Sequence, residues 1–242
     1  MRKVAIFVEG QTEQIFTRHV LLKILDSRKL RIEFRKFIGN VLHKALPDHA
    51  NAHAKVYFLV IDAGNDEKVL THIKERERGL FESGFERVIG LRDMYSGEYD
   101  KESEGKISKN VTRKFVEAHR SAIQNMSTPS KIEIYFAIME IEAWFLGMHK
   151  VFARINRRLD VGHIKKELGY DLSRINPQTK FFRPTVEMDR IFWIVRLRYS
   201  KKKSRVERLV QKIVKEDFDD AVKNRRCRSL KDFYGEIAKW CT

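Results

Sequence analysis

The chain has 242 residues, of which 43% are hydrophobic and 34% are charged. This length can bury a substantial core, and we expect one domain with an appended subdomain. No apolar run is long enough to cross a bilayer, and the N-terminus opens on a strand-like segment, so we expect no membrane anchor and no signal or transit peptide. Cys227 and Cys241 are the only cysteines, which excludes a disulfide framework and favours a reducing cytoplasm.

The net charge of +16 is unevenly distributed along the chain. Residues 150–242 contain 25 Lys and Arg against 12 Asp and Glu, whereas residues 1–149 contain 24 against 21. A basic excess in one half predicts a polyanionic partner such as nucleic acid, because neutralised phosphates release counterions and this release drives binding. A solvated basic surface without a ligand is the alternative.

Buried strands alternate with helices in the first half of the chain. Strands are predicted at Val4–Val8, Arg31–Ile38, Val56–Ile61, Arg87–Leu91 and Ile132–Met139. Helices are predicted from a Thr12 cap through Leu25, at Glu67–Phe81 and at Val111–Gln124. The polar segment 40–54 is predicted to be a loop, with a short helix within it as an alternative. This alternation predicts an α/β fold, with a mostly parallel sheet flanked by helices and right-handed crossovers.

The pattern is helical from Glu140 onward. Helices are predicted at Ile141–Phe152, Val161–Leu168, Val186–Arg198, Ser204–Phe218 and Leu230–Trp240. We therefore predict an α/β domain at residues 1–149 and a basic, mainly helical C-terminal subdomain at residues 150–242.

Acidic side chains follow the ends of the predicted buried strands. Glu9, Asp62 and Asp93 follow three of them, and the fourth runs into Glu140 and Glu142. The carboxyl ends of parallel strands share one edge, where open α/β folds bind ligands. Each acid alone is also explained as a turn or capping residue. Acids clustered together repel one another unless a cation or protons neutralise them, and oxygen ligands with few histidines favour Mg²⁺ or Mn²⁺ over zinc.

One of these strand ends resembles a known family. The segment VEGQTE at Val8–Glu13 resembles the opening motif of Toprim domains, in particular the branch of OLD-type nucleases and small stand-alone phage-defence proteins. The segment EIEAW at Glu140–Trp144 is similar to a segment of the small members of that group. The resemblance covers about residues 1–145. It implies a Toprim-like, Rossmannoid sheet that uses divalent metal to cut or rejoin phosphodiester bonds.

The resemblance also implies roles for individual acids. Glu9 would be a metal ligand and a general acid or base near the scissile phosphate, and Glu13 would support a second ion. Asp93 would be the main metal carboxylate, with Asp62 or Glu142 as a secondary ligand. Two ions would then activate water and stabilise the leaving oxygen.

The chain departs from the Toprim pattern at the expected Asp-x-Asp pair. The two later strands are followed by Asp62-Ala63-Gly64 and by Asp93-Met94-Tyr95. Three explanations remain open. Asp62 and Asp93 divide the work, or another acid (Asp66, Asp100 or Glu142) completes the site, or the site is degenerate and the protein only binds.

Basic residues of the second half are the predicted contacts to nucleic acid. They are Arg196, Arg198, Lys201, Lys202, Lys203, Arg205, Arg225 and Arg226, joined by Arg92 from the first half. Arg92 would neutralise a phosphate or pair with a neighbouring acid. The interleaved aromatics Phe192, Trp193 and Tyr199 would stack on bases or, alternatively, form helix core.

These features predict a divalent-metal-dependent nuclease acting on DNA or RNA, including tRNA. The resemblance implies an anti-phage defence effector restrained by a partner ATPase, and a homodimer is left open. The main alternative is a catalytically degenerate module that binds nucleic acid or a partner ATPase. A nucleotide-handling phosphotransferase using the same acids is a third hypothesis, although the chain has no P-loop sequence.

Overall fold

The computed structural model describes residues 1–25, 27–224 and 226–241, and it confirms the predicted α/β class. Its centre is a six-stranded sheet with strand order β3-β2-β4-β1-β5-β6. The strands are β1 Arg2–Val8, β2 Leu30–Ile38, β3 Val41–Lys44, β4 Val56–Asp62, β5 Arg87–Asp93 and β6 Ile132–Ala137. β1 runs parallel to β4 and β5, and β2 runs parallel to β4, whereas β3 is antiparallel to β2. The mostly parallel sheet flanked by helices is thus as predicted.

The helices follow the strands in the expected alternation and then dominate the second half. They are α1 Gln11–His19, α2 Asp66–Glu82, α3 Gly97–Ser103, α4 Lys109–Gln124, α5 Glu142–Gly147, α6 Lys150–Ile155, α7 Val161–Leu168, α8 Pro177–Lys180, α9 Pro184–Trp193, α10 Lys203–Val210, α11 Lys215–Lys223 and α12 Arg228–Cys241. A short π-helical turn at Val20–Ile24 extends α1.

The chain divides into two compact units. The sheet unit comprises Met1–Arg92, Lys109–Phe136 and Phe233–Thr242, and the helical unit comprises Asp93–Ser108 and Ala137–Asp232. This division differs from the predicted boundary at residue 150, because the chain enters the helical unit twice and returns at its end to the sheet unit.

Contacts of the last helix explain that return. Within the sheet unit, Arg87 Nε donates to Glu236 Oε1 at 2.7 Å, and the Arg2 guanidinium lies 4.2 Å from the centroid of the Trp240 ring. The predicted helix at Leu230–Trp240 therefore exists, but its C-terminal half belongs to the sheet unit.

The core of the sheet unit forms around β1. All five residues of Val4–Val8 are fully buried, as expected for a central parallel strand covered on both faces. The neighbouring strand β5 needs glycine at position 90. A Cβ there would lie 2.8 Å from Cγ1 of Ile134 and 3.1 Å from Cδ1 of Ile73, which is too close for either side chain.

Three elements differ from the predicted pattern. β3 lies within the segment 40–54 that reads as a loop, and its four residues are all exposed, so no buried apolar pattern marks it. α9 ends at Trp193, and the left-handed backbone of Arg196, with φ of 59°, ends the helical path predicted to reach Arg198. The predicted helix Ser204–Phe218 is divided into α10 and α11. The Asp217 carboxylate accepts the Val214 N–H at 2.9 Å and so starts a new helix.

Candidate functional site

Two of the predicted acids lie at the carboxyl ends of strands in the sheet unit, and a third lies on the helix that follows the first of these strands. Glu9 directly follows β1, and its backbone N–H donates to the Leu91 carbonyl of β5 at 3.0 Å. Asp62 is the last residue of β4 and lies in register with Val8 of β1. Glu13 follows on α1 and is only 4% exposed. Glu9 and Asp62 therefore lie at the same edge of the sheet, as predicted, and α1 begins at that edge.

The carboxylate of Asp62 is held in a local turn. Its Oδ1 accepts the backbone N–H of Gly64 at 2.9 Å. Burial raises the pKa of Asp62 above its ordinary value, against the opposing effects of the Gly64 N–H and of Lys36. This contact is an ordinary turn hydrogen bond of an Asp two residues before a Gly. It explains Asp62 as a turn residue and does not prevent the same carboxylate from binding a cation.

The helical unit contains a second group of acids, gathered around one lysine. The Lys201 ammonium lies 3.2 Å from Glu142 Oε2, 3.7 Å from Asp93 Oδ2 and 3.8 Å from Glu140 Oε1. We call these four residues the acid–lysine cluster. Lys201 is 42% exposed in its side chain, whereas Asp93, Glu140 and Glu142 are 5%, 13% and 0% exposed.

Each carboxylate of the cluster is oriented by hydrogen bonds from a different part of the helical unit. Asp93 Oδ1 accepts the Ile141 N–H at 2.8 Å, and Glu142 Oε1 accepts the Tyr199 hydroxyl at 2.8 Å. Thr185, in the first turn of α9, donates its N–H and its hydroxyl to the two oxygens of Glu140, at 2.7 and 2.9 Å. These hydrogen bonds fix the orientation of the three carboxylates relative to one another.

A strained turn presents Glu140 and Glu142 to the cluster. Met139, which is fully buried, has φ of 64°, a left-handed conformation that non-glycine residues rarely adopt. Its carbonyl accepts the Tyr95 N–H at 2.7 Å. Such strain persists where the surrounding structure enforces it, and it is concentrated at functional sites.

The cluster carries more negative than positive charge. Among the described ion pairs of the cluster, three carboxylates share the Lys201 ammonium, so the carboxylates outnumber the cation that joins them. Burial and the neighbouring Glu142 raise the pKa of Glu140, against the opposing effect of Lys201. The site therefore favours the arrival of further positive charge.

The cluster has the donor chemistry of a hard divalent cation, but a lysine lies where the ion would be. Among the residues that the structure describes, no three His, Cys, Asp or Glu side chains are arranged to hold a metal ion. One observation bears on a metal: Glu142 Oε2 is buried, and its one described partner is the Lys201 ammonium at 3.2 Å, at the position that an ion would take. Magnesium–oxygen bonds are about 2.1 Å long, so binding would require Lys201 to leave and the carboxylates to close in.

Two of the arginines predicted to contact nucleic acid are buried and engaged within the protein. Arg92, 5% exposed, lies with its guanidinium 3.0 Å from His119 Nε2 and over the Phe136 ring. Arg226, 6% exposed, donates to the carbonyls of Gly147 and Ser173 and pairs with Asp220. These placements argue against phosphate contacts by either residue.

The other residues predicted to contact nucleic acid differ in solvent exposure. Arg196, Arg198, Lys202, Lys203 and Arg205 are exposed, whereas Lys201 is committed to the acid–lysine cluster. Arg225 lies outside the described residues, as does the side chain of Asp66. Asp100, an alternative acid, pairs with Arg183 at 3.1 Å and accepts the Tyr95 hydroxyl at 3.1 Å instead of joining the cluster.

A family model described as a domain of unknown function, DUF4276, matches residues 8–179 of the chain. The chain belongs to this family. The DUF4276 match includes the three acids of the cluster, whereas Lys201 and Tyr199 lie beyond it. No curated protein and no solved structure matches the chain significantly. Within the described residues, no helix is both long and apolar enough to cross a membrane.

Three residues of the acid–lysine cluster and its hydrogen-bond partners have roles that the sequence does not predict. Glu140 was recognised as an acid after a strand but not as a site residue, and the alternation Glu140-Ile141-Glu142 was the available signal. Thr185 and Tyr199 carry no such signal, because their partners lie 45 and 57 residues away in sequence.

Proposed function

We propose that the protein hydrolyses phosphodiester bonds of nucleic acid with the help of a divalent cation. The observation that carries the proposal is the acid–lysine cluster, in which three largely enclosed, hydrogen-bonded carboxylates converge on the Lys201 ammonium. Without the Lys201 ammonium the three carboxylates carry three negative charges, most of which a divalent cation such as Mg²⁺ or Mn²⁺ would neutralise. The net charge of +16 supports a polyanionic substrate.

In this proposal Asp93, Glu140 and Glu142 would hold the cation in place of the Lys201 ammonium. A bound divalent ion would supply a nucleophilic water of lowered pKa and neutralise charge on the phosphate. Lys201 would serve as a cationic partner for a phosphate oxygen of the substrate. For the acids of the sheet unit the proposal keeps only what the Toprim resemblance implies: Glu9 as metal ligand and general acid or base, Glu13 as support for a second ion, and Asp62 as a secondary ligand.

The resemblance further suggests a phage-defence effector with a partner ATPase, acting on DNA or RNA in the cytoplasm. These finer attributes rest on the motifs VEGQTE and EIEAW and form part of the proposal.

The binding module without catalysis is the second candidate, and Lys201 is the observation that favours it. An ammonium that already neutralises part of the acid cluster is what a degenerate site would retain. The Asp-x-Asp pair is missing in the same region, where Asp93 is followed by Met94 and Tyr95.

The test is an incubation of the full chain with plasmid, single-stranded DNA and total tRNA, in Mg²⁺, in Mn²⁺ and in EDTA. Asp93→Asn is the sharpest variant, because asparagine still accepts the Ile141 N–H while the charge is lost. Asp100→Asn makes the same change at an acid outside the cluster. We expect metal-dependent cleavage that Asp93→Asn reduces by roughly 10²–10⁴-fold and Asp100→Asn leaves intact.

Loss of cleavage in Asp93→Asn with unchanged thermal unfolding establishes the role of the cluster, and the same comparison for Glu9→Gln tests the sheet unit. Salt-sensitive binding without cleavage in any metal would overturn hydrolysis and establish the binding module.

A further inference from the structure

A cavity of about 270 Å³ lies within the helical unit, beside the acid–lysine cluster. Its apolar walls include Phe192, Leu197 and Leu209, and its rim carries Arg198, Arg205 and Arg208. Tyr199 also lines it, and the hydroxyl of the same tyrosine donates to Glu142 of the cluster at 2.8 Å. One side chain therefore belongs to both the cavity and the cluster.

The walls suit a flat apolar ring. The rings of Phe192 and Tyr199 both line the cavity, with centroids 5.9 Å apart and a mutual tilt of 37°, and the two residues are each 8% exposed. Leu197 is 46% exposed and forms an open side of the cavity. An aromatic lining of this kind accepts any nucleobase, because every base has a π-face.

The rim suits an anion. Arg198 pairs with Asp189 at 3.0 Å, which neutralises part of its charge, and Arg205 donates one guanidinium N–H to the Arg198 carbonyl at 2.7 Å. Arg208, one turn further along α10 from Arg205, is exposed. Guanidinium groups bind phosphate through paired hydrogen bonds, so the rim offers more positive charge than Asp189 neutralises.

The backbone that carries this rim is held in an unusual conformation. Arg196 adopts φ of 59°, and Asp189 accepts the Tyr199 N–H at 2.9 Å, so residues 196–199 are fixed against α9. Left-handed backbone at a non-glycine residue costs energy and is concentrated at binding and catalytic sites.

We propose that this cavity binds one nucleotide of a single-stranded nucleic acid, with the base on Phe192 and Tyr199 and the phosphate on Arg205 and Arg208. The proposal deepens the proposed function and rests on it for the identity of the polyanion. The volume lies just below the roughly 300 Å³ at which small-ligand pockets begin, so the cavity takes one nucleotide and not a duplex. A base must leave its stack to enter, which favours single strands over paired ones.

The experiment measures binding of the full chain in EDTA, so that no cleavage interferes. A fluorescent single-stranded oligonucleotide is titrated, with the duplex of the same sequence and the free mononucleotides as competitors. The variants are Arg205→Gln, Arg208→Gln and Leu197→Ser, and Arg174→Gln is the control, because its side chain is 82% exposed and lies outside the cavity lining.

We expect Arg205→Gln and Arg208→Gln each to weaken oligonucleotide binding about tenfold. Each should also reduce the slope of log affinity against log salt by about 0.7, the value for one phosphate contact on a single strand. Leu197→Ser should weaken binding with an unchanged salt slope, because it alters only the apolar wall. Arg174→Gln should match the wild type.

Equal binding of the duplex, or variants that all behave like Arg174→Gln, would overturn the proposal. Free mononucleotides that bind as tightly as the oligonucleotide would overturn the assignment to a strand. The two proposals can be distinguished. If Arg208→Gln keeps both its cleavage activity and its affinity, the nucleotide site in the cavity is overturned but hydrolysis is not. If binding depends on Arg208 but no cleavage is seen, hydrolysis is overturned but the nucleotide site is not.

Discussion

Replacing Lys201 by methionine removes the ammonium that lies 3.2–3.8 Å from three carboxylates and keeps most of the aliphatic stem. Asp93, Glu140 and Glu142 would then face one another with only their hydrogen bonds as compensation. Breaking a buried ion pair costs about 3–5 kcal/mol, and breaking an exposed pair costs about 0–1 kcal/mol. Because Lys201 is 42% exposed while its partners are almost fully buried, we expect a loss of about 2 kcal/mol at neutral pH.

The assay is thermal unfolding followed by circular dichroism, in EDTA and in Mn²⁺, with Lys202→Met as the matched control. For a chain of this size, a loss of about 2 kcal/mol lowers the melting temperature by roughly 4–8 °C. Mn²⁺ should stabilise Lys201→Met more than the wild type, because the ion no longer competes with the lysine. A ligand at a hundred times its dissociation constant contributes about 2.7 kcal/mol.

Two results would refute this reasoning in different places. If Lys201→Met unfolds like Lys202→Met in EDTA, the cluster does not depend on its ammonium. If Lys201→Met is destabilised but gains no more from Mn²⁺ than Lys202→Met does, the acids do not form a cation site.

Two further predictions concern the interior of the helical unit. Arg226→Met should lower the free energy of unfolding by about 3 kcal/mol, because it leaves the Gly147 and Ser173 carbonyls and the Asp220 carboxylate without their donor. Burial and the nearby Arg226 lower the pKa of His149 below its ordinary 6.5. As the pH falls below 6.5 the unfolded chain binds a proton that the folded chain refuses, so stability decreases, and His149→Gln should remove that part of the decrease.

Both are measured by urea unfolding, the second at a series of pH values on either side of 6.5. Arg174→Met is the control for Arg226→Met. A stable Arg226→Met that has lost affinity for nucleic acid would restore the predicted phosphate contact. An unchanged pH profile in His149→Gln would show that the imidazole is free to take up a proton in the fold.

The sequence by itself determined the sheet and the places where its acids stand. A continuous apolar run such as Val4–Val8 is stable in water only when both faces of the strand are buried. Such a run therefore indicates a parallel strand even when the strands beside it are not known. Glu9, Asp62 and Asp93 were located at strand ends for the same local reason. The exposed strand β3 has no such pattern and could not be found in this way.

Only the tertiary structure decided which charges meet. Lys201 reads as one of three consecutive lysines on a basic surface, and nothing local separates it from Lys202. It reaches Asp93, which lies 108 positions earlier in the sequence, because the segment after α9 is bound by Asp189 and runs back to the cluster. Arg226 was likewise placed on the surface from its charge, yet the fold surrounds it with acceptors. Periodicity reports which face of an element is buried, whereas the pairing of charges depends on contacts between distant elements, and no local pattern encodes those contacts.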